Sequence, residues 1–159
     1  MRPTALWKEM SPEKRLVAST AFWNDEHGRD QQVEVIVALA RKLNFRPKSV
    51  PSLPLERRAK LLAGMDVSDA VASRALIAYH LAAERPMMAA FLDALNIEHD
   101  NGLITAEEVP TPDKAKLAEG VKTLKSTFDA DAVRLYLHTL LLLDGDTWAG
   151  LAEILDAEA

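Results

Sequence analysis

The sequence predicts an all-α fold, a compact orthogonal or superhelical bundle of about eight helices, on three observations. Apolar residues recur at helical spacing along most of the chain. Capping residues and first-turn prolines punctuate those stretches, and strand-like alternation is almost absent. With 159 residues the chain fits one domain, large enough to bury about 70% of its unfolded surface. Hydrophobic residues at 48% and charged residues at 27% are globular values and argue against disorder.

A helical turn around residues 4–9 precedes the first full helix. Ser11-Pro12-Glu13 reads as an N-cap with proline at the first helical position, where a missing N–H costs nothing. It opens a helix over 12–24, which Gly28 follows as a stop. Asp30 caps the next helix, 30–44, whose apolar face is Val33, Ile36, Val37, Ala40 and Leu43. After a connection holding Pro47 and Pro51, Pro54 opens a helix over 54–63 that Gly64 ends. Ser68 caps 68–84, Pro86 opens 86–96, and Asn96 takes the left-handed conformation that stops it. Thr111-Pro112-Asp113 starts a helix over 112–128, with Leu117, Val121, Leu124 and Phe128 opposite Lys114, Lys116, Lys122 and Lys125. Asp129 caps 130–143, Gly145 stops it, and Asp146 caps 146–158 with Trp148, Leu151, Ala152 and Leu155 inward.

Two of these helices are apolar nearly all round. Residues 68–84 run through Val71, Ala72, Ala75, Leu76, Ile77 and Tyr79, and residues 132–143 end in four leucines. A helix greasy on every side is enclosed, so these two are expected at the centre. The chain reads as a single helical domain over 1–159. The connection 97–111, with Gly102 and Pro110, is where it would subdivide into an N-terminal portion, 1–96, and a C-terminal three-helix portion, 112–159.

Charge is sharply segregated. Arg41, Lys42, Arg46, Lys48, Arg57, Arg58 and Lys60 fall within twenty residues beside one acid, Glu56, so 41–60 carries +6 in a chain of net −5. Residues 92–159 hold fourteen acids against five bases, or −9. Such a distribution creates an oriented field and speaks to partners rather than to fold. The basic residues are therefore the candidate partner- or phosphate-binding set. An acidic protein, a phosphate backbone, or the chain's own acidic part (within one copy or between copies) would each complement them. Phe45 is the one aromatic in the segment, which is sparse for a nucleic-acid stacking surface.

Catalytic signatures are thin. The six glycines are isolated, so no glycine-rich loop cradles a phosphate, and there is no Gly-x-Ser-x-Gly or His-Glu-x-x-His. Without cysteine there is no thiolate nucleophile or thiolate metal site. No metal or cofactor is expected. His80 with Glu84 one turn later, approached by His138 from the other greasy helix, is the one acid–base set a helical enzyme would build here; a buried structural histidine is the plainer reading.

Two segments resemble known motifs. Asp100-Asn101-Gly102-Leu103-Ile104 through Glu107 and Glu108 is similar to the second half of an EF-hand calcium loop, but Ile97 and His99 occupy the first two ligand positions. The segment reads as a turn at Asn101-Gly102. Leu55–Leu76 resembles a helix-turn-helix, yet its second helix offers only Asp69, Ser73 and Arg74 to bases. Met87, Met88, Phe91 and Leu92 make a soft stripe read as core, with a partner groove as the other reading. No apolar run suits a signal peptide or a membrane span, and a cytoplasmic location is expected. The function expected is a non-enzymatic protein-interaction module or small regulatory protein, with a protein partner or self-association as a homodimer. Nucleic-acid association through 41–60 is the second reading, and an enzyme with a histidine/glutamate site between central helices the third.

Overall fold

Ser11 Oγ accepts from the Lys14 amide and Asp129 from that of Ala132, so these two expected caps start helices, while the cap expected at Thr111 falls instead at Asp113, which accepts from the Ala115 amide. The computed structural model describes residues 1–158, and among them the chain forms nine α-helices and one short hairpin. These are α1 (Pro3–Glu9), α2 (Pro12–Asn24), α3 (Arg29–Leu43), α4 (Leu55–Ala63), α5 (Asp69–Ala83) and α6 (Arg85–Ala94). After the antiparallel strands β1 (His99–Asp100) and β2 (Leu103–Ile104) come α7 (Lys114–Thr127), α8 (Ala130–Leu143) and α9 (Ala149–Ala157). The all-α expectation holds. No helix among the described residues is long and apolar enough to cross a membrane.

The chain divides into two units, Met1–Ala83 and Glu84–Ala159. The division falls earlier than the 97–111 connection because α6 packs on α7 and on the hairpin, all of them in the second unit.

In the first unit α5 is the central rod, packed by α1, α2 and α3, while α2 also carries α4. No residue from Val71 to Leu81 is exposed, as an all-round apolar helix requires. Phe22, Leu39, Leu62 and Leu76 fill the interior with no exposed surface. At the corner between α2 and α3, Arg74 Nε donates to Asp25 Oδ2 at 2.6 Å, and the His27 amide donates to Asp25 Oδ1 at 3.0 Å. Burial pushes the Asp25 carboxyl upward. The Arg74 hydrogen bond, the His27 amide and the positive charge of Arg74 more than offset that, and hold it below the usual carboxylate range. Gly28 borders this pair, and a Cβ there would sit 3.0 Å from Asp25 Oδ2 and 3.2 Å from Arg74 Cγ. Arg74→Met, which keeps the stem and removes the donor, is expected to cost about 2 kcal/mol in urea unfolding.

The inward face of α3 differs in part from the expected one: Ala40 is buried as expected and Ile36 and Leu43 are half-buried, but two of its valines are not inward. Val35, Leu39 and Ala40 are buried, whereas Val33 and Val37 face solvent at 57% and 38% exposure. The reason is Gln32, whose Nε2 donates to the Phe22 carbonyl at 2.9 Å and the Asp25 carbonyl at 2.8 Å. Those bonds turn Gln32 toward the end of α2, and Val35 and Leu39 are buried as α3 packs on α5.

The second unit is built round Phe91 of α6. Its ring meets Tyr136 of α8 edge-on at 5.8 Å and Trp148, the residue preceding α9, at 6.0 Å. Gly120 lets α7 approach closely, since a Cβ there would lie 3.3 Å from the Phe91 ring; at Gly150 a Cβ would lie 2.7 Å from Leu117. Met87 and Met88 are buried and belong to this core. On α8, Ala132 to Leu140 supply the buried residues, and the terminal Leu143 is its one exposed large apolar residue among the described residues.

Candidate functional site

The basic segment is presented by the end of α3, the connection after it and the start of α4. Arg41 and Lys42 occupy the last turn of α3, where a cation complements the carbonyl end of the helix. Asn44 then adopts φ 56°, and the Phe45 amide returns to the Ala40 carbonyl at 2.9 Å, a Schellman-type stop. Arg46 precedes a 3-10 turn, Pro47–Ser49, that holds Lys48. The connection is anchored by Val50, which has no exposed surface. Arg57 sits on the exposed side of α4, opposite buried Ala59 and Leu62.

Two of the seven cations are occupied within the fold. The Arg58 guanidinium lies 5.1 Å from the centre of the Trp23 ring and its Nε donates to the Leu53 carbonyl at 3.1 Å, so it ties α4 to α2 and to the connection. Lys60 pairs with Glu56 one turn away at 3.1 Å. The remaining five, Arg41, Lys42, Arg46, Lys48 and Arg57, are exposed and make no ion pair among the described residues. Phe45 stands among them at 38% exposure. The first unit carries thirteen bases against nine acids, +4, and the second six bases against fifteen acids, −9.

Sequence reasoning missed the apolar approach to this surface. Val33, Val37 and Arg41 lie on one line of α3, four residues apart, so an exposed valine stripe runs into the first cation. Arg41 was the available signal, because a charged residue continuing a stripe marks it as outward.

The histidine set is distributed across the division. His80 is interior to the first unit, 2% exposed, with Nδ1 2.8 Å from the Leu76 carbonyl one turn back. Burial pushes its pKa down to about 4, against the pull of that hydrogen bond and helped by the charge of Lys14. It is a neutral imidazole donating to backbone. Glu84 does not continue the helix of His80: α5 ends at Ala83, and Glu84 is the half-buried residue before α6. His138 is half-buried on α8 in the second unit. No one unit holds all three residues.

The two motif resemblances resolve into structure. Asp100 and Leu103 pair across Asn101 and Gly102, whose φ values of 47° and 90° are those of a mirror-image hairpin turn. His99 Nδ1 accepts from the Gly102 amide at 3.0 Å, which puts the ring proton on Nε2, 2.6 Å from Asp93 Oδ1. His99 thus pins the hairpin to the end of α6. In the helix-turn-helix-like segment, Asp69 holds Arg2 and the Thr4 amide, and Arg74 holds Asp25. These are internal bonds on an enclosed helix, the opposite of a groove-reading face.

No protein-family model, curated protein or solved structure matches the chain.

Proposed function

We propose that the chain is a non-enzymatic helical interaction module, or small regulatory protein, that acts through protein contacts made by Arg41, Lys42, Arg46, Lys48 and Arg57. The observation that carries this reading is their common condition: five exposed cations, close in sequence, without a carboxylate partner among the described residues. Crowded like charges repel, and their desolvation at an interface is favourable only where anions meet them. The partner is therefore acidic on its contacting face. The reading takes the chain as a cytoplasmic protein.

A second reading, nucleic-acid association, is favoured by Phe45, whose exposed ring between Lys42 and Arg46 suits base stacking. The two separate in one experiment with the full chain and its Arg46→Glu/Lys48→Glu variant. The wild type is expected to retain a protein from nuclease-treated extract, to lose it as salt rises, and to retain nothing once both charges are reversed. Capture that needs intact nucleic acid, together with retention on heparin, supports the second reading instead. Equal behaviour of both chains overturns both.

A further inference from the structure

We infer that the acidic face which the basic surface engages is carried by a second copy of this chain, on the hairpin of its second unit. The inference rests on the reading of the basic surface as a protein-contact site, and it names the contact. The two units carry opposite charge, +4 and −9. Around the hairpin Glu98, Asp100, Glu107 and Glu108 are exposed and make no ion pair among the described residues. Within this acidic group Leu103 is 46% exposed. One base is near: Arg85 donates to the Asn101 carbonyl at the turn. The basic surface has the same plan with the sign reversed, its cations set round Phe45 and the end of the Val33–Val37 stripe. An apolar centre inside a charged rim is the anatomy of a contact face, and here one chain carries both complementary versions. Lone exposed leucines or valines would be ordinary; the match of two such faces is the argument.

Two copies at net −5 repel at long range. At physiological salt the field of exposed charge decays over about 8 Å, so charges in direct contact decide the association. The contact is heterologous, joining different surfaces of the two copies, and charge holds it, so it should weaken with salt.

The test is sedimentation of three full-length proteins at low and at moderate salt: wild type, Arg46→Glu/Lys48→Glu, and Glu107→Lys/Glu108→Lys. Wild type is expected to gain mass with concentration at low salt, with its dissociation constant rising about tenfold or more at moderate salt. Each variant alone loses most of the charge opposition, the cation set falling from +5 to +1 in one and the hairpin acids from −4 to 0 in the other, and should stay monomeric. Mixed in equal amounts, the two variants restore one unaltered pairing, the +5 surface of one against the −4 hairpin of the other, and should associate. All substitutions lie on exposed residues, and far-UV circular dichroism verifies the unchanged helix content. A wild type that remains monomeric at low salt overturns the inference, as does a mixture that fails to associate. Salt-sensitive capture of a different protein by a monomeric wild type would leave the interaction-module reading standing while this inference falls.

Discussion

Phe91→Ala is expected to destabilise the second unit by about 4 kcal/mol, the largest effect of any single substitution considered for this fold. The ring has no exposed surface and is enclosed by Tyr136, Trp148 and the backbone of α7 at Gly120. Three separate segments would have to move inward to close the cavity, and α7 is already at close approach. Collapse is therefore incomplete, and the cost includes both the lost transfer energy and the void. The tryptophans help the measurement: Trp148 reports on the second unit and Trp7 and Trp23 on the first. Urea unfolding followed by fluorescence in a Trp7→Phe/Trp23→Phe background should show the Trp148 transition at a much lower midpoint. Phe91→Leu, which refills most of the volume, should recover more than half of the loss. A cost below about 1 kcal/mol for the alanine variant would show that Phe91 is not the centre of this unit.

Acid should loosen the first unit through His80. Its folded pKa lies near 4, against 6.5 for the unfolded chain. Between those values the unfolded state binds more protons, so stability rises with pH and is lost as pH falls from about 6.5 toward 4. The span corresponds to about 3 kcal/mol if His80 alone is responsible. Carboxylates titrate at the lower end of the same window, so the informative quantity is a difference. Unfolding free energies of wild type and His80→Gln, measured at pH 7.5 and at about pH 4.5, should differ in slope, the wild type losing more on acidification. Parallel slopes would mean that the folded protein admits the His80 charge, contrary to its burial against Leu76 and near Lys14.

What could be read from the chain alone follows how local the cause is. Ser11, Ser68, Asp113 and Asp129 act within one helical turn, and their helices begin at or beside the expected positions. The enclosure of α5 was equally legible, because an apolar girth needs no knowledge of the neighbours. The rotation of α3 was not, since it is set by Gln32 reaching the carbonyls of Asp25 and Phe22, seven and ten residues back. Strands of two residues are too short to show alternation, so the hairpin left only its Asn101-Gly102 turn as a trace. The division at 83/84 reflects the packing of α6 on α7, a distant partner that the brief connection before Pro86 does not announce.

The candidate surface was partly legible for the same reason. Its cations are clustered in sequence, so the segment was visible as a run. Which of them are free to act was not. Arg58 is committed by Trp23, thirty-five residues away, and Lys60 by Glu56, whereas the other five are exposed and make no ion pair among the described residues. Spacing alone places Val33 and Val37 on the inward face of α3, and the orientation of the helix turns both to solvent.

On the proposed function, those five cations are dispensable for folding and held for contact with another molecule. The most direct measurement is the thermal melt of Arg46→Glu/Lys48→Glu/Arg57→Glu at moderate salt, which leaves the α3 terminus with its cations. Stability within about 0.5 kcal/mol of wild type, or slightly above it as repulsion is relieved, is the predicted result. A loss of about 2 kcal/mol or more would contradict it, by showing that the positive charges are spent on holding the protein's own structure together.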